Sequence, residues 1–74
     1  SSALAIKISP NPTSDLIKIA GIKNIEHVRI FDMTGKIVKE TNTSEVVVKD
    51  LVSGQYIVNV YAGNQVISRK LIKN

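Results

Sequence analysis

The sequence predicts an all-β domain of about seven short, mostly antiparallel strands, folded as a sandwich or small barrel. Three observations predict it. Apolar and polar residues alternate with a period of two in segment after segment, and none sustains the three-and-four spacing of an amphipathic helix. The apolar residues are mostly Val, Ile and Leu, and β-branched chains fit a pleated surface; the only aromatics are Phe31, Tyr56 and Tyr61. Turn-forming residues punctuate the chain at roughly 8–12-residue intervals.

Each element follows from this alternation. Leu4, Ile6 and Ile8 make a first strand, which Pro10 and Pro12 end because proline lacks the N–H that a ladder needs. Ile17 and Ile19 alternate with Lys18 in a second strand that closes near Gly21, and Val28 and Ile30 alternate with Arg29 in a third. Asp32-Met33-Thr34-Gly35 reads as a tight reversal in which Gly35 supplies a positive φ. Lys36 to Glu40 returns as a fourth strand, and Thr41 to Ser44 is a polar loop. Val46 and Val48 belong to a fifth strand, with Val47 and Lys49 on its other face. Leu51 fills the core before a Ser53-Gly54 turn, and Tyr56, Val58 and Val60 form the sixth strand. After Ala62-Gly63-Asn64, Val66 to Lys73 is the seventh, and its phase is open: either Ile67 and Leu71 or Val66 and Ile72 face inward. Val28, Ile30, Val48, Leu51, Tyr56, Val58 and Val60 are expected to line the core.

Seventy-four residues, 43% of them apolar, allow one small core and no second domain. Net stability at this size is on the order of 3–5 kcal/mol. Residues 1–3 read as the end of an upstream linker and residues 4–74 as the domain; the start at Ser1 without an initiator Met reads as a fragment of a longer precursor. No apolar run reaches the roughly 20 residues of a membrane-spanning helix. The net charge of +4 comes from Lys and Arg scattered along the chain. With no basic run and no interleaved aromatic ladder, it reads as a solvated sheet surface rather than a nucleic-acid site.

Catalysis finds little support. The absence of Cys removes disulfides and thiolate sites, and a single His, His27, does not make the usual zinc sets. His27 reads as a solvent-facing strand residue. The acids Asp15, Glu26, Asp32, Glu40, Glu45 and Asp50 lie singly, without calcium-loop spacing or a paired-carboxylate arrangement. Asp32 is better explained as bonding the backbone amides of its own turn. Asn42-Thr43-Ser44 fits a glycosylation sequon but reads as a loop. No enzyme, metal or cofactor is expected.

Four short signatures stand in order along this framework: Pro10-Asn11-Pro12, then Asp32 to Gly35 at the end of Val28-Arg29-Ile30-Phe31, then Leu51 to Tyr56 with Gly54 between, then Lys70-Leu71-Ile72-Lys73. The series resembles the type A C-terminal sorting domain of the type IX secretion system of Bacteroidota-type Gram-negative bacteria, over nearly all of residues 4–73. The resemblance implies an immunoglobulin-like β-sandwich that directs an N-terminal cargo domain across the outer membrane. It implies a translocon that recognises the domain and a sortase that cuts upstream of it. It also implies transit through the periplasm, then a cell-surface or secreted destination. Within that resemblance, Lys70, Leu71, Ile72 and Lys73 are the expected recognition residues. Pro10, Asn11, Pro12, Asp32, Gly35, Leu51, Gly54 and Tyr56 are its motif and turn residues. A monomer that binds no nucleic acid is expected.

Two rivals share part of the pattern. An immunoglobulin- or fibronectin-like spacer or carbohydrate-binding module would share the fold, but a sugar platform needs clustered aromatics, and Phe31 and Tyr61 lie far apart in sequence. A small nucleic-acid-binding barrel would show a salt-dependent shift with oligonucleotides.

Overall fold

The computed structural model describes residues 6–9, 15–22 and 24–74. Among them the chain forms seven strands: β1 (Lys7–Ser9), β2 (Leu16–Ala20), β3 (His27–Asp32), β4 (Ile37–Thr41), β5 (Glu45–Val47), β6 (Gly54–Ala62) and β7 (Gln65–Lys73). The strands pair as one three-stranded sheet, β1-β2-β5, and one four-stranded sheet, β4-β3-β6-β7, with every pairing antiparallel. No helix occurs among the described residues. The expected all-β sandwich is therefore the fold, and the Pro10-Asn11-Pro12 corner and Leu4 lie outside the described residues.

The core lies between the inner faces of the two sheets. Ile8, Ile17, Ile19 and Val46 project from the small sheet, with Val48 just beyond β5. Val28, Ile30, Tyr56, Val58, Val60, Ile67 and Leu71 project from the large one. Six of the seven residues expected to line the core are buried. The seventh, Leu51, is half-buried and packs on the core from its rim, because it sits in the irregular segment between β5 and β6. Each fully buried Val, Ile or Leu contributes about 1.5–3 kcal/mol of transfer free energy, so strand phase is the main specification of this fold.

Register shows which phase wins in β7. Tyr56 faces Leu71 and Val60 faces Ile67 across the β6–β7 ladder, so the inward phase of β6 carries the same phase of β7 into the core. Val66 and Ile72 are left on the outer face, 57% and 40% exposed. Lys73 closes the inward row at the strand end, buried, with its Nζ donating to the Asn74 carbonyl at 3.2 Å.

The β3–β4 connection is a three-residue hairpin loop. The Gly35 amide donates to the Asp32 carbonyl at 3.0 Å, and the Asp32 amide donates to the Lys36 carbonyl at 2.9 Å. Gly35 takes φ +92°, which completes a type I turn with the left-handed residue that restores pairing. A register shift follows between Ile30 and Phe31, so Val38 has no direct partner in the β3–β4 ladder.

Candidate functional site

The last three signatures of the sequence converge on one end of the sandwich. Asp32, Tyr56 and Leu71 are register partners in a single row across β3, β6 and β7. One residue thus comes from each of the last three signatures. One step further along, Gly54 faces Lys73. The Tyr56 hydroxyl donates to the Val52 carbonyl, folding the Leu51-to-Gly54 segment back onto the strand that follows it. The Leu51 amide donates to Val48 at 2.9 Å, and the Val48 amide donates to the Asp15 carbonyl at 2.7 Å. Through Asp15, the chain that leaves the first signature reaches the same end, although Pro10, Asn11 and Pro12 themselves lie outside the described residues.

Polar groups at this end are used to hold turns. Asp32 Oδ1 accepts from the Thr34 amide at 2.9 Å, the Thr34 hydroxyl at 2.5 Å and the Lys36 amide at 3.1 Å. These bonds favour the charged carboxylate, first through the Thr34 side chain, and hold Asp32 below the ordinary aspartate range. Lys39, on the inward phase of the edge strand β4, extends its amine to both carboxylate oxygens of Asp50 at 3.0 Å. That bond likewise depresses Asp50 and joins the large sheet to the segment linking β5 and β6. The sequence did not reveal this pair, since eleven residues separate its members.

Of the four expected recognition residues, the structure splits the set. Lys70 and Ile72 face outward from β7, whereas Leu71 and Lys73 are buried. Gly54 takes φ +153°, a conformation that L side chains rarely adopt, so the expected turn glycine is required where β6 begins.

On the outer face of the large sheet, His27 is half-buried rather than open to solvent. It stacks on Tyr61, its cross-strand partner, with ring centroids 4.4 Å apart. The Arg29 guanidinium lies 5.2 Å from the same ring and donates to Glu40 at 2.6 Å. Tyr61 is thus occupied by neighbours of its own sheet, which argues against its use as a sugar platform. Among the described residues no group of three acids or histidines is placed to hold a metal.

Sequence reasoning missed the apolar character of this outer face. Phe31 faces Ile37 on one side and Ile57 on the other, with Ile72 diagonal to Ile57. The signal was present in Tyr56-Ile57-Val58 and Leu71-Ile72, where apolar residues occupy both phases of a strand instead of alternating.

Comparison with known proteins adds two findings. The family described as the secretion system C-terminal sorting domain matches residues 7–74. A solved structure of PorZ, an essential bacterial surface component of the type IX secretion system of Porphyromonas gingivalis, superposes with a TM-score of 0.76 at 27% identity. The similarity covers 100% of this chain and 12% of that one, so the chain corresponds to a small part of the larger protein. No curated protein matches.

Proposed function

This chain belongs to the family of secretion-system C-terminal sorting domains, and from that premise we propose how it works as an address for an attached cargo. The domain is a sorting signal of the type IX secretion system, and it marks its protein for export to the cell surface or the medium. The match over residues 7–74 carries this reading. The domain's part is recognition rather than chemistry, and its acids and hydroxyls serve turns and ion pairs.

The finer steps form one sequence. The folded domain crosses the periplasm behind its cargo, a translocon component recognises it, and a sortase cuts upstream, for release or for surface attachment. Residues 4–74 constitute the signal, and residues 1–3 are the end of the linker. In the terminal strand, Lys70 and Ile72 present side chains to the receptor, while Leu71 and Lys73 hold that strand in register. Surface exposure of Lys70 and Ile72, with their neighbours anchored in the core, supports this division.

A reporter fused ahead of this chain tests the reading in a host with the type IX system and in an isogenic host lacking its translocon. Surface reporter is expected only in the first. Equal periplasmic retention in both would refute the sorting function.

A further inference from the structure

The large sheet ends on one side in β4, and among the described residues no strand pairs with its outer edge. An open edge offers backbone donors and acceptors to any strand that reaches it, a second copy of the same chain included. The terminal strands of the small sheet, β1 and β5, are three residues each, and such short edges recruit poorly. β4 is five residues long and has no such protection from its length. Two other features stand against pairing there. The register shift beside Ile30 and Phe31 leaves Val38 without a direct partner, which breaks the even spacing that an added strand needs. The second feature is Lys39. It stands opposite the wholly buried Ile30, so its side chain leaves the strand on the inward face of the sheet. The central strands β3 and β6 carry no charge on that face until Asp32 opens its turn. At the other end of the described strand order, β7 likewise places a basic residue inward, Arg69, half-buried opposite the buried Val58. The Lys39 amine reaches both carboxylate oxygens of Asp50 at 3.0 Å, with side-chain exposures of 25% and 66%. Stability does not explain this choice. An ion pair that remains in contact with water adds little to folding, and an apolar side chain on the inward phase would add more by burial.

We infer that the Lys39–Asp50 pair guards the β4 edge, keeping a second copy of this chain from adding its own β4 there. Copies of one chain carry identical edges, and a two-fold antiparallel contact of β4 with β4 needs no other partner. Such a contact continues the large sheet, so residues that meet across it lie on the same face. Centred on Lys39, it sets two lysines directly opposite each other, and like charges so placed are destabilising. Centred on Glu40, it sets two carboxylates opposite each other and Lys39 against Thr41. In either register the inward side chains of the added strand crowd beside Lys39 and take water from a pair that is in contact with it now. That desolvation is a cost which the attraction within the pair does not fully offset. The inference is independent of the sorting reading, and it gives the expected monomer a physical basis.

The test is self-association of the 74-residue chain and four variants, followed by sedimentation velocity over a series of concentrations. Thermal melts accompany each, and amide hydrogen exchange locates any contact. Lys39→Met keeps most of the stem and removes the charge, Lys39→Val puts a β-branched residue in its place, and Lys39→Arg keeps the charge. Lys18→Met is the control. It makes the same change in net charge and also breaks an ion pair, with Glu45 at 3.7 Å, but on the outer face of the small sheet. Wild type, Lys39→Arg and Lys18→Met are expected to sediment as monomers. Lys39→Met and Lys39→Val, still folded, should associate at concentrations roughly tenfold or more lower than wild type. Exchange should slow in Ile37 to Thr41 as they do so. Folded Lys39→Met and Lys39→Val that stay as monomeric as Lys18→Met would overturn the inference. Association that leaves the β4 amides exchanging as in wild type would overturn it too, since the contact would lie elsewhere. Equal association of Lys18→Met would assign the effect to net charge and refute a guard at the edge. Unfolding of both Lys39→Met and Lys39→Val would show that Lys39 serves folding itself, and the inference would fail. A wild type that already dimerises through β4 would contradict it directly.

Discussion

Asp32 and Gly35 show how a few atoms fix a hairpin. One carboxylate oxygen gathers two amides and a hydroxyl, and Gly35 takes a φ that costs other residues about 1–2 kcal/mol. A Cβ at Gly35 would meet nothing within 4 Å, so the penalty there is conformational and not steric crowding. Gly35→Val should destabilise the domain by more than about 1 kcal/mol, measured by urea unfolding; an unchanged midpoint would show that the turn tolerates a side chain. The same residues set the acid response. Asp32 and Asp50 have folded pKa values below the ordinary 3.8. In acid the unfolded chain therefore binds the proton first, and stability falls as pH falls. The contribution is complete above about pH 4 and is lost as pH drops through the lower folded values. Wild type should accordingly lose melting temperature below pH 4 more steeply than Asp32→Asn with Asp50→Asn, and parallel curves would show that these bonds do not stabilise the fold.

At the scale of the element, β7 decides most. Leu71 is wholly buried whereas Ile72, next to it, is 40% exposed. Leu71→Ala should cost about 2–5 kcal/mol by transfer and cavity terms, and Ile72→Ala well under half of that. Chemical denaturation of the two variants checks the phase, and equal losses would contradict it. Deleting Lys70 to Asn74 removes Leu71 and the Tyr56–Leu71 pairing from a domain whose total stability is only on the order of 3–5 kcal/mol. Loss of export in such a truncation would report unfolding. Outward substitutions at Lys70 and Ile72 separate recognition from stability.

For the whole molecule, the two sheets share one core and neither has an inner face that survives alone. Ile17 and Val46 from one sheet and Val28, Val58 and Leu71 from the other are all within 2% of complete burial. The Cα radius of gyration is 11.3 Å, the value of about 11 Å expected for one compact unit of this length. Unfolding should therefore be a single transition, with far-ultraviolet circular dichroism and tyrosine fluorescence coinciding. Two separated transitions would show that the sheets unfold independently.

By itself the sequence determined the class, the strands and the turns among the described residues, because these follow from local rules: a period of two along each strand and glycine at positive φ. Asp32, Gly35, Gly54 and the inward set from Val28 to Val60 were legible for that reason, as were the four signatures that carry the family resemblance. The phase of β7 was not legible, since Val66-Ile67 and Leu71-Ile72 offer apolar residues to both faces and only pairing with β6 chooses between them. The Lys39–Asp50 pair and the Asp32–Tyr56–Leu71 row needed the tertiary structure as well, because they join segments that no local rule relates. The same holds for the outer apolar row. Alternation says which residues share a face of one strand, and only the order β4-β3-β6-β7 places Ile37, Phe31 and Ile57 side by side, with Ile72 diagonal to Ile57.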